Sequence, residues 1–169
     1  MRILLLSDTH SYIDDAILRY AETVDAIWHA GDIGDLAVTD ALQKIKPLTA
    51  VYGNIDNAQI RRTFPLDVFS ESEGVRIWMT HIGGYPGHFD KRVRERLISE
   101  HPDLFVCGHS HILRVMRDAQ TGTLCLNPGA AGVHGFHHMR TMLRFELYGG
   151  KVENMEVIEL GKRGALHKK

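Results

Sequence analysis

Residues that can bind metal ions recur in five short blocks along this chain of 169 residues, which contains eleven histidines. The blocks read SDTH, HAGD, GNID, MTH and GHSH, and they supply Asp8, His10, Asp32, Asn54, His81, His109 and His111. Imidazole, carboxylate and amide groups without a thiolate suit Mn, Fe, Co, Ni or Zn better than a dedicated Ca or Mg site. The blocks therefore predict a metal site, provided that the fold brings them together.

Each block follows an apolar run that predicts a β-strand. The predicted strands are Arg2–Ser7, Ala26–His29, Leu48–Tyr52, Val75–Thr80 and Leu104–Cys107. In α/β sheets, ligands bind outside the carboxyl ends of the strands, so distant blocks are expected to converge there. More ligands gather than one tetrahedral ion can use, which favours two ions that share a carboxylate.

The elements between the blocks predict the fold. Helical spacing covers Asp14–Val24, Val38–Ile45 and Asp90–Glu100, and the strand–helix–strand units of the first half predict parallel pairing. Three hairpins are expected later, namely Phe64–Ser70 with Val75–Thr80, Ile112–Arg117 with Thr123–Leu126, and Thr141–Tyr148 with Lys151–Glu159. The pattern predicts an α/β protein in which a two-sheet β-sandwich is flanked by helices, in four layers. Residues 1–160 are assigned to this domain and residues 161–169 to a frayed basic tail.

Composition limits the possible partners. With 44% hydrophobic and 24% charged residues, the chain is an ordinary globular domain, and a net charge of −1 gives no global attraction for nucleic acid or membranes. The apolar run at the N-terminus is too short for a signal peptide, which predicts a cytoplasmic protein. Cys107 and Cys125 lie in apolar runs and are expected to be buried thiols.

The five blocks, in this order, make residues 2–160 resemble the calcineurin-like metallophosphoesterase superfamily. The short length and lack of a lid domain resemble its small stand-alone bacterial and archaeal phosphodiesterases. The resemblance implies two divalent ions, first of all Mn, with Ni, Fe, Co or Zn as alternatives. It assigns one ion to Asp8, His10 and His111, the other to Asn54, His81 and His109, and a bridging role to Asp32. It also implies catalysis by Asp32, Asn54, His81 and His109, with a metal-bridging hydroxide attacking a small phosphodiester or other phosphate ester.

One departure from the family pattern concerns the leaving group. Many members have a histidine where this chain has Ile55, and that histidine assists the leaving group. A phosphomonoesterase or nucleotide pyrophosphatase is one alternative function. A non-catalytic scaffold similar to the retromer subunit of this fold is another, although every ligand position here keeps a residue able to ligate. A nucleic-acid substrate is disfavoured because no basic groove is evident, and an oligomer remains possible.

Several polar residues outside the ligand set have more than one interpretation. His29 is expected to support the site or the core rather than to ligate. Asp56 either caps a helix or orients a ligand, and Asn127 forms a turn that a strand could bring near the metals. For His134, His137 and His138, an exposed loop is slightly preferred over substrate contact.

Overall fold

The computed structural model describes residues 1–164, which form ten strands and four helices. The strands are β1 Arg2–Leu6, β2 Ala26–His29, β3 Leu48–Ala50, β4 Asp67–Ser72, β5 Val75–Thr80, β6 Leu104–Val106, β7 Leu113–Arg117, β8 Leu124–Pro128, β9 Met139–Tyr148 and β10 Lys151–Lys162. The helices are α1 Asp15–Glu22, α2 Leu36–Gln43, α3 Ala58–Thr63 and α4 Lys91–Glu100. Strand β10 enters the segment 161–169 that was predicted to be a frayed tail, and residues 165–169 lie outside the described residues.

The strands form two five-stranded sheets, in the orders β10-β9-β1-β2-β3 and β4-β5-β6-β8-β7. The first sheet has the predicted parallel pairs β1–β2 and β2–β3, and all three predicted hairpins are antiparallel pairs. The three hairpins predicted an antiparallel second half of the chain, but the central strands β5, β6 and β8 of the second sheet are parallel. Helix α4 connects β5 to β6, and β7 lies between β6 and β8 in sequence, so both connections are long enough for parallel pairing.

Three apolar clusters hold the layers together. Strand β1 contributes to two of them, since Leu4 and Leu6 pack with α1 and α2 while Ile3 and Leu5 pack between the sheets. On the far side, Trp78 and Phe105 of the second sheet pack against α4 in the third cluster. The order helix–sheet–sheet–helix confirms the predicted four-layer fold.

Helix α3 was considered only through a possible cap at Asp56, and its bounds were not predicted. It has six residues and only Ile60 is buried, so the sequence carries no periodic apolar signal there. Phe64 ends this helix instead of opening β4, and its side chain packs in the core. Cys107 and Cys125 are buried free thiols, and burial raises the pKa of each to about 12. Within residues 1–164, no helix is long and apolar enough to cross a membrane.

Candidate metal centre

The predicted ligands lie where the chain turns sharply at the ends of strands. Asp8, His10, Asp32, His109 and His111 all have left-handed backbone conformations, with φ between 46° and 68°. Such values are uncommon for residues other than glycine and persist where the surrounding structure enforces them, often at functional sites. Hydrogen bonds from the Asp8 N–H to the Gly31 carbonyl and from the His10 N–H to the Asp32 carbonyl hold two of these turns together.

Asp8, His10 and His111 form the first ligand group. One possible ligand atom from each lies within 4.8 Å of the others. Oδ1 of Asp8 is 3.1 Å from Nε2 of His111 and 3.9 Å from Nε2 of His10, and the two imidazole nitrogens are 3.3 Å apart. Three donor atoms thus face a common point.

Asp32, His81 and His109 form the second ligand group, which meets the same 4.8 Å criterion. Nε2 of His81 is 3.1 Å from Oδ1 of Asp32 and 3.1 Å from Oδ1 of Asn54. Asn54 approaches closely because Gly53 precedes it: a Cβ on Gly53 would lie 2.0 Å from Oδ1 of Asp32. The amide oxygen of Asn54 is therefore available to this second group.

Asp32 lies between the two groups. Its Oδ1 faces His81, whereas its Oδ2 is 3.8 Å from Nε2 of His10 in the first group. A carboxylate with one oxygen toward each group has the arrangement of a bridging ligand. The structure thus brings all seven predicted residues together at one edge of the sandwich.

Two features show that these donors fit a divalent cation. Asp8 is fully buried; its Oδ2 accepts hydrogen bonds from Ser7 and the His109 N–H, but its Oδ1 has no hydrogen-bond partner within residues 1–164. Such an atom carries a desolvation cost unless a cation binds it. In His81, Nδ1 donates to the Ala30 carbonyl, so Nε2 faces two oxygen atoms and needs a metal ion or a proton between them.

The histidine pKa values reflect this environment. Burial lowers the pKa of His10, although Asp32 and Asp8 oppose the effect, so the free imidazole favours the neutral form that can bind metal. Burial also disfavours the cation of His81, but its hydrogen bond to Asp32 and the charges of Asp8 and Asp32 raise its pKa. A metal ion at Nε2 of His81 would take the place of that proton.

His29 lies outside both ligand groups, as expected. It is buried and accepts a hydrogen bond at Nδ1 from the Gly31 N–H, while Nε2 contacts Oγ1 of Thr9 at 2.9 Å. Burial lowers the pKa of His29 to about 4, so the ring is neutral and donates to Thr9. Since Thr9 lies between Asp8 and His10, His29 fixes the loop that carries them.

Asp56 orients the loops of the second group. Its carboxylate accepts hydrogen bonds from the N–H groups of Ile33 and Gly34, beyond Asp32, and from Gly53, beside Asn54. Helix α3 is capped by Asn57 instead. Of the two interpretations of Asp56, the structure supports the orienting role.

Two further residues support the loop of His109 and His111. Nδ2 of Asn127 donates to the Gly108 carbonyl at 2.7 Å and to Ser110 at 3.1 Å, so Asn127 does more than form a turn. The preference for an exposed loop was wrong for His137, which is half-buried against His111, with their Nδ1 atoms 3.3 Å apart. Nothing in the local sequence distinguishes His137 from its neighbours.

The exposed-loop interpretation describes the other two histidines better. His134 and His138 are exposed, although the ring centroid of His134 is 4.9 Å from that of His10.

The tautomer of His137 determines which nitrogen of His111 is free. In His137, Nε2 donates to the Gly132 carbonyl, so Nδ1 accepts from Nδ1 of His111. This leaves Nε2 of His111 free to bind a cation beside Asp8.

Two clefts open over the site. One, of about 480 Å³, is lined by both ligand groups and by the loop of residues 134–137. The other, of about 330 Å³, is lined by Asn54, His81, Arg61 and Arg92. Asp67 pairs with Arg92, whereas Arg61 donates to backbone carbonyls, including that of Asn54, and has no carboxylate partner within residues 1–164. A local cation thus lies beside the site, although the net charge of the chain is −1.

Comparison with known proteins agrees with this geometry. The family model of the calcineurin-like phosphoesterase superfamily domain matches residues 1–150. The chain therefore belongs to this family of phosphoric ester hydrolases, which use divalent metal ions.

Relatives and solved structures extend the comparison. The chain is 29% identical over 140 residues to a probable metallophosphoesterase of Methanothermobacter thermautotrophicus, covering 79% of this chain and 78% of the relative. The structure of a novel archaeal phosphodiesterase matches 95% of this chain and 100% of its own, with 20% identity and a TM-score of 0.71. Wild-type Vps29 of Entamoeba histolytica in complex with Zn²⁺ matches 94% and 99%, with 18% identity and a TM-score of 0.71. The last two establish a shared fold.

Proposed function

We propose that this chain is a phosphodiesterase that uses two divalent metal ions. The observation that carries the proposal is Asp32, whose two carboxylate oxygens face different ligand groups. Oδ1 of Asp8, which has no hydrogen-bond partner within residues 1–164, supports a cation in the first group. The carboxylate oxygen of Asp32 and the amide oxygen of Asn54, which both face Nε2 of His81, support a cation in the second.

In this proposal each residue has a stated role. Asp8, His10 and His111 hold one ion; Asn54, His81 and His109 hold the other; and Asp32 is shared. Bound divalent ions supply Lewis acidity and activate a water molecule for attack on phosphorus. The mixed nitrogen and oxygen donors suit Mn, Fe, Co, Ni or Zn, and the resemblance to the family puts Mn first among them. Arg61 adds a fixed positive charge beside Asn54 that attracts the phosphate ester.

Preference for diesters with good leaving groups follows from Ile55. Its side chain lines the larger cleft and has no proton to donate to a departing oxygen. His137 is already engaged by Gly132 and His111, so it does not replace the missing acid. A leaving group of low pKa needs no such help. General acid assistance is worth about 10² to 10⁴ in rate, so its absence should decide which substrates react.

The alternative of a scaffold rests on the likeness to Vps29, which concerns the fold alone. Vps29 itself is recorded in complex with Zn²⁺, so cation binding alone does not separate the two alternatives. A scaffold, however, has no need to keep all seven ligand-type residues at one edge. The metal centre therefore favours an enzyme.

Hydrolysis by the Mn²⁺-loaded protein tests the proposal. We expect bis-p-nitrophenyl phosphate to be cleaved, alkyl monoesters to react far more slowly, and EDTA to abolish activity. The slope of log rate against leaving-group pKa should be steep, and Ile55→His should flatten it. A flat slope in the native protein that becomes steep in His134→Ala would identify His134 as the acid. Activity that survives EDTA, or no activity on any ester, would contradict the proposal.

A further inference from the structure

Three large apolar side chains are exposed at the mouth of the larger cleft. Ile55 is 46% exposed, Ile112 is 51% exposed and Phe136 is 99% exposed. Burying apolar surface is worth about 25 cal/mol per Å², so an aromatic side chain left fully in water is available for binding. These three residues line the same cleft as His10, Asp32 and the other ligands.

The three side chains come from separate loops, and each loop is fixed to the metal centre. Ile55 follows Asn54, and its N–H donates to Oδ1 of Asp32 at 3.1 Å. Ile112 follows His111 directly. Phe136 lies in the loop where Gly135 packs so tightly on His111 that a Cβ would lie 2.3 Å from Nδ1 of the ring. Their positions are therefore set relative to Asp32 and His111.

Another exposed phenylalanine, Phe69, differs from Phe136 because contacts within the chain account for its position. Phe69 is 45% exposed, but it stacks on Trp78 and lies under the guanidinium of Arg96. Among the described residues, Phe136 has neither an aromatic nor a cationic neighbour of this kind. Packing within the chain thus accounts for Phe69 and leaves Phe136 unexplained.

We propose that Ile55, Ile112 and Phe136 form an apolar wall that binds an aromatic ester group of the substrate. The inference rests on the proposed function, since the phosphate of the same molecule would lie at the metal centre. Arg61 lies in the other cleft, so the two sides of the centre differ in chemistry. An aromatic group on the wall and the phosphate charge near Arg61 would orient the ester in one direction.

Binding of phosphonates to the Mn²⁺-loaded protein tests the wall without any turnover. By isothermal titration calorimetry, phenylphosphonate should bind about tenfold more tightly than methylphosphonate, which corresponds to burial of roughly 55 Å² of apolar surface. Phe136→Ala and Ile112→Ser should each reduce this preference to about twofold or less. Phe69→Ala, a matched exposed phenylalanine outside the cleft, should leave the preference at its native value.

A hydrolysis assay separates this inference from the proposed function. Phenyl p-nitrophenyl phosphate and methyl p-nitrophenyl phosphate share a leaving group, so a lower KM for the phenyl ester that Phe136→Ala abolishes would support the wall. If both phosphonates bind equally and bis-p-nitrophenyl phosphate is still hydrolysed, the proposed binding role of the wall is wrong and the proposed phosphodiesterase function stands. If no ester is hydrolysed but the preference for phenylphosphonate is retained, the proposed phosphodiesterase function is wrong and the aromatic binding site stands.

Discussion

The two halves of the metal centre differ in how they are enclosed. In the first group, Asp8 is fully buried and the rings of His10 and His111 are half-buried. In the second, His81 is buried but His109 is exposed to solvent. We call the first group the protected half and the second group, which His109 opens to solvent, the open half. Under the proposed function, we expect the more exchangeable ion in the open half.

The halves also differ in what orients their imidazoles. His81 donates to a backbone carbonyl, that of Ala30, which no side-chain substitution removes. His111 donates to another side chain, His137, which lies in a loop beyond β8. Hydrogen bonds to metal-binding histidines fix their orientation and raise their basicity. The protected half therefore depends on a residue that a single substitution can remove.

The largest effect on metal content is expected at Asp32, the carboxylate that both halves share. Asp32→Ala should lose most of both ions, because both groups share this carboxylate, and activity should disappear with them. Native protein loaded with Mn²⁺ should contain about two ions per chain by metal analysis. His109→Ala serves as the comparison, since it should lose the open-side ion and keep the protected one. Retention of both ions by Asp32→Ala would contradict the shared carboxylate.

Much of the fold and the grouping of the candidate ligand residues could be predicted, because both depend on local sequence signals. A strand followed by Asp-x-His can be recognised from a few consecutive residues. The supporting contacts could not be predicted in this way: Asn127 reaches Gly108 and His137 reaches His111 only after distant loops meet. The bounds of helix α3 escaped prediction because a single buried residue gives no periodicity. Residues that act through tertiary contacts leave no spacing to detect.

A smaller effect, on metal affinity, is expected when the hydrogen bond between His137 and His111 is removed. His137→Phe removes the hydrogen bond to His111 while keeping a ring of similar size, so metal affinity should fall by about 10- to 100-fold. Competition with a fluorescent chelator measures this change. His138→Phe, at the exposed neighbouring histidine, is the control and should leave the affinity unchanged. Equal affinities for native protein and His137→Phe would show that the contact does not support the ligand.

The smallest effect on the metal centre is expected from an ion pair behind the protected half, which acts on the stability of the fold. Arg140 is 1% exposed; it donates to the Ala131 carbonyl and to Oδ2 of Asp14, which caps α1 just beyond the loop of His10. Burial opposes ionisation of Asp14, but the Ile17 N–H and Arg140 outweigh it and lower its pKa below 3.8. The ionised carboxylate therefore stabilises the fold above pH 3.8, and this contribution is lost as the pH falls through the lower pKa of the folded state.

Replacement of Asp14 by asparagine tests this pair, because asparagine can still cap the helix but leaves the buried guanidinium without its counter-charge. Asp14→Asn should lower the free energy of unfolding of the metal-free protein at pH 7 by about 1 to 3 kcal/mol. The difference from the native protein should shrink as the pH falls below 3.8, where the native Asp14 also becomes neutral. Urea unfolding between pH 7 and pH 3 measures both, and Asp15→Asn, at the exposed next position, should change little. A difference that stays constant across this range would mean that Asp14 acts through its cap alone and that the charge on Arg140 is satisfied without it.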